Sequence, residues 1–162
     1  MLWQKHVRMK LGLDLKQATD RDLEISCRIK AEPFVRLAVV GAHLQGLPLH
    51  YQLTERGCRF VEKTMTSNNY RFFALPNSQP PKPGLVRSAG QSGAGAIEVE
   101  IYDMPSSTVG SFFDGIAFPL GLGSVELSNG SWVKGFVCDG SVVAESQDIT
   151  LYGGWRNYLQ SL

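Results

Sequence analysis

Cysteine is scarce in this sequence. Three residues, Cys27, Cys58 and Cys138, are odd in number and widely spaced, which excludes a disulfide framework, and no paired Cys or His spacing of a zinc site accompanies them. They read as reduced, small apolar residues of a cytoplasmic protein, and no metal is expected. Charge of one sign is missing too: the formal net charge is +1, so bulk electrostatics offers nothing to nucleic acid or to an anionic membrane. No run approaches the roughly 20 apolar residues of a membrane span, and the N-terminus lacks the hydrophobic core of a signal peptide. Repeats and long low-complexity tracts are absent. What is present, 162 residues of 43% hydrophobic content, suits one globular domain with a sizeable core.

The chain is organised around Leu37-Ala-Val-Val-Gly-Ala-His-Leu-Gln-Gly-Leu-Pro-Leu49. Leu37 to Val40 is uninterrupted and apolar, which predicts a buried strand. Gly41 and Gly46 mark a sharp turn or a close approach, and Pro48 ends sheet pairing. The strand thus delivers His43 to a loop whose successive amides are able to form a concave anion site beside an imidazole. The same spacing is met by a tight turn with a packed histidine, so the residues alone leave both roles open.

Before this stretch, Val7, Met9, Leu11, Leu13 and Leu15 alternate with polar residues and glycine, and Leu23, Ile25, Cys27 and Ile29 alternate again after the break at Gln17 to Asp22. A period of two predicts two strands, hence a β-hairpin arm over residues 1–33 preceding a domain over 34–162. A lone ribbon is marginal, and five apolar side chains in a row need cover. The expected cover is a second copy of the chain, giving a homodimer.

After the loop, Leu49 to Arg56 reads as a short helix closed by Gly57, followed by strands at Cys58 to Met65 and Tyr70 to Leu75 with Ser67-Asn68-Asn69 as the turn. Pro76 to Gly95 holds four prolines and several Gly and Ser residues, so it reads as a long loop outside the core, with Lys82-Pro83-Gly84-Leu85 its most distinctive part. Ile97 to Tyr102 resumes as a strand, with Glu98 and Glu100 on its solvated face. Pro105 opens the clearest helical pattern, and Val109, Phe112, Phe113 and Ile116 form a core-facing stripe. Phe118-Pro119-Leu120-Gly121-Leu122-Gly123 lacks the lysine and hydroxyl of a phosphate loop, which argues against nucleotide binding. Ser124 to Leu127 and Trp132 to Cys138 form a hairpin about Asn129-Gly130. A helical piece around Val142 to Ala144 precedes an irregular tail anchored by Tyr152, Trp155 and Tyr158. This order predicts an α+β fold around a mixed, partly closed sheet.

Gly41-Ala42-His43-Leu44-x-Gly46-x-Pro48-Leu49-x-x-Gln52-Leu53-Thr54-Glu55-Arg56-Gly57 resembles the opening of the C-terminal domain of allophanate hydrolase. The resemblance continues through Tyr70-Arg71-x-x-Ala74-Leu75-Pro76, Lys82-Pro83-Gly84-Leu85-Val86-Arg87, Ile97-Glu98-Val99-Glu100 and Pro119-Leu120-Gly121-x-Gly123-x-Val125-Glu126-Leu127. It ends with Val133-Lys134-Gly135-Phe136 and Asp148-Ile149-Thr150-x-x-Gly153-Gly154-Trp155-Arg156, covering nearly everything from Phe34 onward. It implies a gamma-glutamylcyclotransferase-like fold, a small, partly closed β-barrel with a few short helices. The cyclotransferases' Tyr-Gly-Ser-Leu cradle corresponds to Gly41-Ala42-His43-Leu44, and their glutamate falls in the stretch Asp114 to Gly123, which has none.

What the resemblance implies chemically is decarboxylation of N-carboxycarbamate, the dianion left by an amidase, in urea and allophanate degradation. No cofactor is needed. Amides from Gly41, Ala42, His43, Leu44 and Gln45 would hold one carboxylate, and His43 would supply the proton. Arg71, Lys134 or Arg87 would clamp the second carboxylate, while Tyr70 and Gln52 orient the small dicarboxylate-like ligand. The amidase with its Ser-Ser-Lys machinery lies outside this sequence, so a separate amidase protein is an expected partner. Two other roles remain: a non-catalytic dimerisation or carboxylate-binding module, and a gamma-glutamylcyclotransferase-like enzyme.

Overall fold

A strand that is apolar without interruption must be covered on both faces and paired along both edges. In the computed structural model, which describes residues 32–162, that strand is β1 (Phe34–Val39), the middle of a five-stranded sheet of order β2-β5-β1-β7-β6. Its partners are β5 (Glu98–Pro105), antiparallel, and β7 (Trp132–Cys138), parallel. The outer strands are β2 (Arg59–Met65), on β5, and β6 (Leu120–Glu126), hairpinned to β7 across the Asn129-Gly130 turn. A three-stranded sheet holds β4 (Pro83–Arg87), β3 (Tyr70–Ala74) and the short β8 (Gln147–Asp148). Three short α-helices, α1 (Tyr51–Thr54), α2 (Val109–Asp114) and α3 (Trp155–Gln160), and three 3₁₀ helices complete the described residues. The class is α+β, as the sequence implies. The N-terminal hairpin expected over residues 1–33 lies, apart from Glu32 and Pro33, outside the described residues.

Neither sheet closes, but the larger one curls until its edges touch. Thr66, just past β2, bridges Leu127, just past β6, and Ser67 donates its amide to the Glu126 carbonyl at 2.9 Å. The Glu126 carboxylate gathers Ser67 Oγ, Asn69 Nδ2 and Arg87 Nη2 at 3.0–3.1 Å. Those hydrogen bonds from Asn69, Arg87 and Ser67 hold its pKa below the ordinary carboxylate value. The core fills the curl with Leu37, Leu44, Leu53, Phe72, Ile101 and their buried neighbours.

The structure corrects several sequence expectations. Pro83–Arg87 is a strand with Pro83, Gly84 and Leu85 buried, not part of a loop outside the core. Proline is tolerated at the first position of an edge strand, and a side chain at Gly84 would come within 2.7 Å of Cys138 Sγ on β7. Glu100 is 3% exposed instead of solvated. Phe113 is exposed, because the helix begins at Val109 after β5 runs on to Pro105, and Phe112 alone of the pair turns inward. The helix expected over Leu49 to Arg56 shrinks to α1, and the irregular tail ends in α3.

Gly135 sits where β7 lies against β1, and a Cβ there would meet Val125 Cγ2 at 2.8 Å and the Ala38 carbonyl at 3.0 Å. Gly135→Ala should therefore cost about 1–3 kcal/mol of overpacking in urea denaturation. Gly140→Ala, where nothing lies within 4 Å, should stay within about 0.5 kcal/mol of the parent.

Candidate functional site

β1 ends, and the chain makes a series of turns in place of further pairing. The Leu44 amide donates to the Gly41 carbonyl at 2.9 Å, and the Leu49 amide to the Ala42 carbonyl at 2.9 Å. Gly46 takes a φ of +80°, a left-handed conformation that costs glycine little. Gly41 is set by proximity: a Cβ there would lie 2.4 Å from the Pro83 ring at the start of β4. The Gln45 amide donates to the Glu100 carboxylate at 2.8 Å, whereas the amides of Ala42 and His43 have no acceptor among the described residues.

The turn borders a cavity of about 190 Å³, with Gly41, Ala42 and His43 in its wall. Gln52 from α1, Lys82 from the chain entering β4, Phe112 from α2 and Phe136 from β7 line it as well. No carboxylate lines it. His43 stacks on Phe136 with ring centroids 5.0 Å apart and meets the Phe112 edge at 5.4 Å. Its Nε2 is 2.9 Å from Gln52 Oε1. Because an amide oxygen only accepts, the neutral ring carries its proton on Nε2 and leaves Nδ1 bare. The His50 Nδ1–H donates to the His43 carbonyl at 3.2 Å and fixes the backbone. Burial drives the His43 pKa below its ordinary value of 6.5; the Gln52 hydrogen bond opposes this, and the charges of Lys82, His50 and Arg56 add to it.

Of the residues singled out from sequence, Gly41, Ala42, His43 and Gln52 come together at the cavity. Leu44 is buried in the core and the Gln45 side chain is exposed. Tyr70 is buried at the seam, its hydroxyl accepting from the Glu126 amide at 2.7 Å. Arg71 pairs with Asp148, Arg87 with Glu126, and Lys134 Nζ donates to Ser124 Oγ at 3.3 Å. None of these four lines the cavity. Lys82 does line it, though sequence reasoning passed it over; its one signal was a basic residue inside the Lys82-Pro83-Gly84-Leu85 motif. Phe112 and Phe136 read only as core residues, and nothing in the sequence showed that their rings would clasp a histidine.

The loop is held from behind by charge. Arg156 on α3 gives Nη2 to Glu100 Oε1 at 2.7 Å and to the Gln45 carbonyl at 2.8 Å, and Tyr102 donates its hydroxyl to Glu100 Oε2 at 3.0 Å. Both backbone groups of Gln45, two residues from His43, are thus bound by one ion pair.

The allophanate hydrolase C-terminal domain family matches residues 35–160 of this chain. The chain belongs to that family. The urea amidolyase of Lachancea kluyveri is 42% identical over 151 residues, covering 91% of this chain and 8% of that protein. That of Saccharomyces cerevisiae is 46% identical over 131 residues, covering 79% and 7%. The chain thus spans less than a tenth of the length of the urea amidolyases it matches. Kluyveromyces lactis allophanate hydrolase superposes with a TM-score of 0.75 at 43% identity over 79% of this chain and 21% of that one. A protein specific to uropathogenic E. coli superposes with a TM-score of 0.71 at 26% identity over 80% of this chain and 98% of its own. The fold that these relatives share with the chain is α+β, here with two open sheets. No helix of the described residues is long and apolar enough to cross a membrane.

The depressed His43 pKa has a thermodynamic consequence. Unfolded chains take up the proton near 6.5 while the folded ring resists it, so stability should fall as pH drops below about 6.5 and be flat, as far as this group goes, above it. Urea midpoints across that range should show the fall, and His43→Asn should remove its share. A ring titration by NMR above 6.5 in the ligand-free protein would contradict the burial argument.

Proposed function

We propose that the cavity at His43 binds a small dicarboxylate and decarboxylates N-carboxycarbamate during allophanate breakdown. The observation that carries this reading is a histidine clasped by Phe112, Phe136 and Gln52 in a wall that holds Lys82, no carboxylate, and Ala42 and His43, whose amides have no acceptor among the described residues. Such a wall attracts an anion and repels none. One carboxylate would accept from the Ala42 and His43 amides, with Lys82 supplying opposite charge. Arrival of a dianion next to bare Nδ1 raises the His43 pKa, so the ring takes up a proton as the ligand binds.

The step needs no further group. His43 gives that proton to the central nitrogen, the C–N bond breaks with its electron pair going to nitrogen, and carbon dioxide leaves. Carbamate remains, and solvent restores the proton. A positioned acid of this kind is worth about 10²–10⁴ in rate. Relatives named urea amidolyase carry this domain as a small share of a longer chain, which supports an amidase as the source of the dianion, here a separate partner or another part of the same protein. The cyclotransferase alternative calls for a carboxylate in this pocket. Asp114 is exposed and does not line it.

His43→Asn should keep the fold and abolish carbon dioxide release from N-carboxycarbamate generated by an amidase, because Asn cannot carry the proton. An unchanged rate would reduce His43 to a packing residue. Calorimetry in buffers of different ionisation enthalpy should show net proton uptake on malonate binding, and affinity should weaken as pH rises above the ligand-bound pKa. Lys82→Met should weaken malonate about tenfold through loss of a charged partner.

A further inference from the structure

The His43 cavity does not stand alone. A second, larger cavity of about 320 Å³ adjoins it, and Gln79, Lys82, Ala117 and Leu120 line both. Its outer wall is the segment between β3 and β4, pinned by Ser78, whose hydroxyl donates to the Leu75 carbonyl at 3.3 Å and accepts from the Lys82 amide at 2.9 Å. The Lys82 ammonium has no ion-pair or hydrogen-bond partner among the described residues, nor has the Glu145 carboxylate, which lines only the second cavity. The same lining includes the apolar Leu75, Phe118 and Val142.

Lys82 is thus shared by the two cavities, and the acid lines only the second. The first holds His43, Lys82 and no acid; the second adds Glu145 to the shared Lys82. A malonate-sized dianion suits the first alone. An unpaired cation and an unpaired acid in adjoining cavities that also hold apolar side chains match a ligand with a carboxylate at one end, a few methylenes, and an ammonium at the other. We infer that the two cavities form one bipartite site for an ω-amino carboxylate, its carboxylate on the Ala42 and His43 amides and Lys82, and its ammonium on Glu145. The inference rests on the carboxylate site proposed above and adds a second class of ligand to it.

The test is a calorimetric and NMR series on the full chain with 3-aminopropanoate, 4-aminobutanoate, 5-aminopentanoate and 6-aminohexanoate, against malonate and pentanoate. Affinity should rise abruptly at the length that lets the ammonium reach Glu145, with amide shifts at residues 142–145 as well as 41–43. Glu145→Gln should weaken that longer amine about fivefold, as expected for a solvent-accessible ion pair, and leave malonate unchanged. Two results would overturn the inference while sparing the carboxylate site: malonate shifting residues 41–43 while no amine shifts 142–145, or Glu145→Gln binding the amine as tightly as the parent. Absence of malonate shifts at 41–43 would sink the carboxylate site and, with it, the bipartite one.

Discussion

A carboxylate that is 3% exposed must have its charge answered inside the protein, since an unpaired buried charge is far costlier than a folded domain can sustain. Glu100 is that group, and its partners account for much of the arrangement of the site. Its oxygens take the Gln45 amide, the Tyr102 hydroxyl and the Arg156 guanidinium. The Gly-bracketed loop gives one amide, that of Gln45, to a carboxylate of the protein's own. One amide is thereby spent on architecture, and those of Ala42 and His43 remain. Because Arg156 also binds the Gln45 carbonyl and approaches Glu98 at 3.4 Å, the C-terminal helix, the central sheet and the histidine loop are fastened at one point.

That fastening holds the loop that carries His43, the proton donor of the proposed reaction. A ring on a free loop would sample many orientations, whereas His43 is stacked on one phenylalanine, edged by another and tied through Nε2 to Gln52. The rings that orient it also strip its water, which favours the neutral ring. In the proposed reaction a dianion would reverse the balance on entry. Ligand and proton would then arrive together, which is the coupling that decarboxylation at nitrogen requires.

Much of the fold was legible because it rests on local pattern. The unbroken run at Leu37 to Val40 gave the central strand, the alternation at Ile97 to Tyr102 gave its neighbour, and Asn129-Gly130 gave the hairpin. Errors came where long-range contact overrode local pattern. Glu100 reads as solvated on alternation alone, since nothing near it in sequence reveals that Arg156 arrives from the far end of the chain. Pro83-Gly84 reads as loop, yet becomes a strand because Gly84 admits the close approach of Cys138. At the site, the turn and its histidine were visible, as was Gln52 a short distance on. Lys82 and the two aromatic walls were not singled out, because they reach the cavity from three separate elements.

The central claim is that the Ala42 and His43 amides, the His43 ring and Lys82 together hold a small dicarboxylate. A crystal structure of the full chain with malonate tests this most directly. The account requires one carboxylate within hydrogen-bonding distance of both amides, His43 Nδ1 facing the ligand, and the Lys82 ammonium drawn toward it. Malonate bound elsewhere, or this cavity left without it at saturating concentration, would contradict the account.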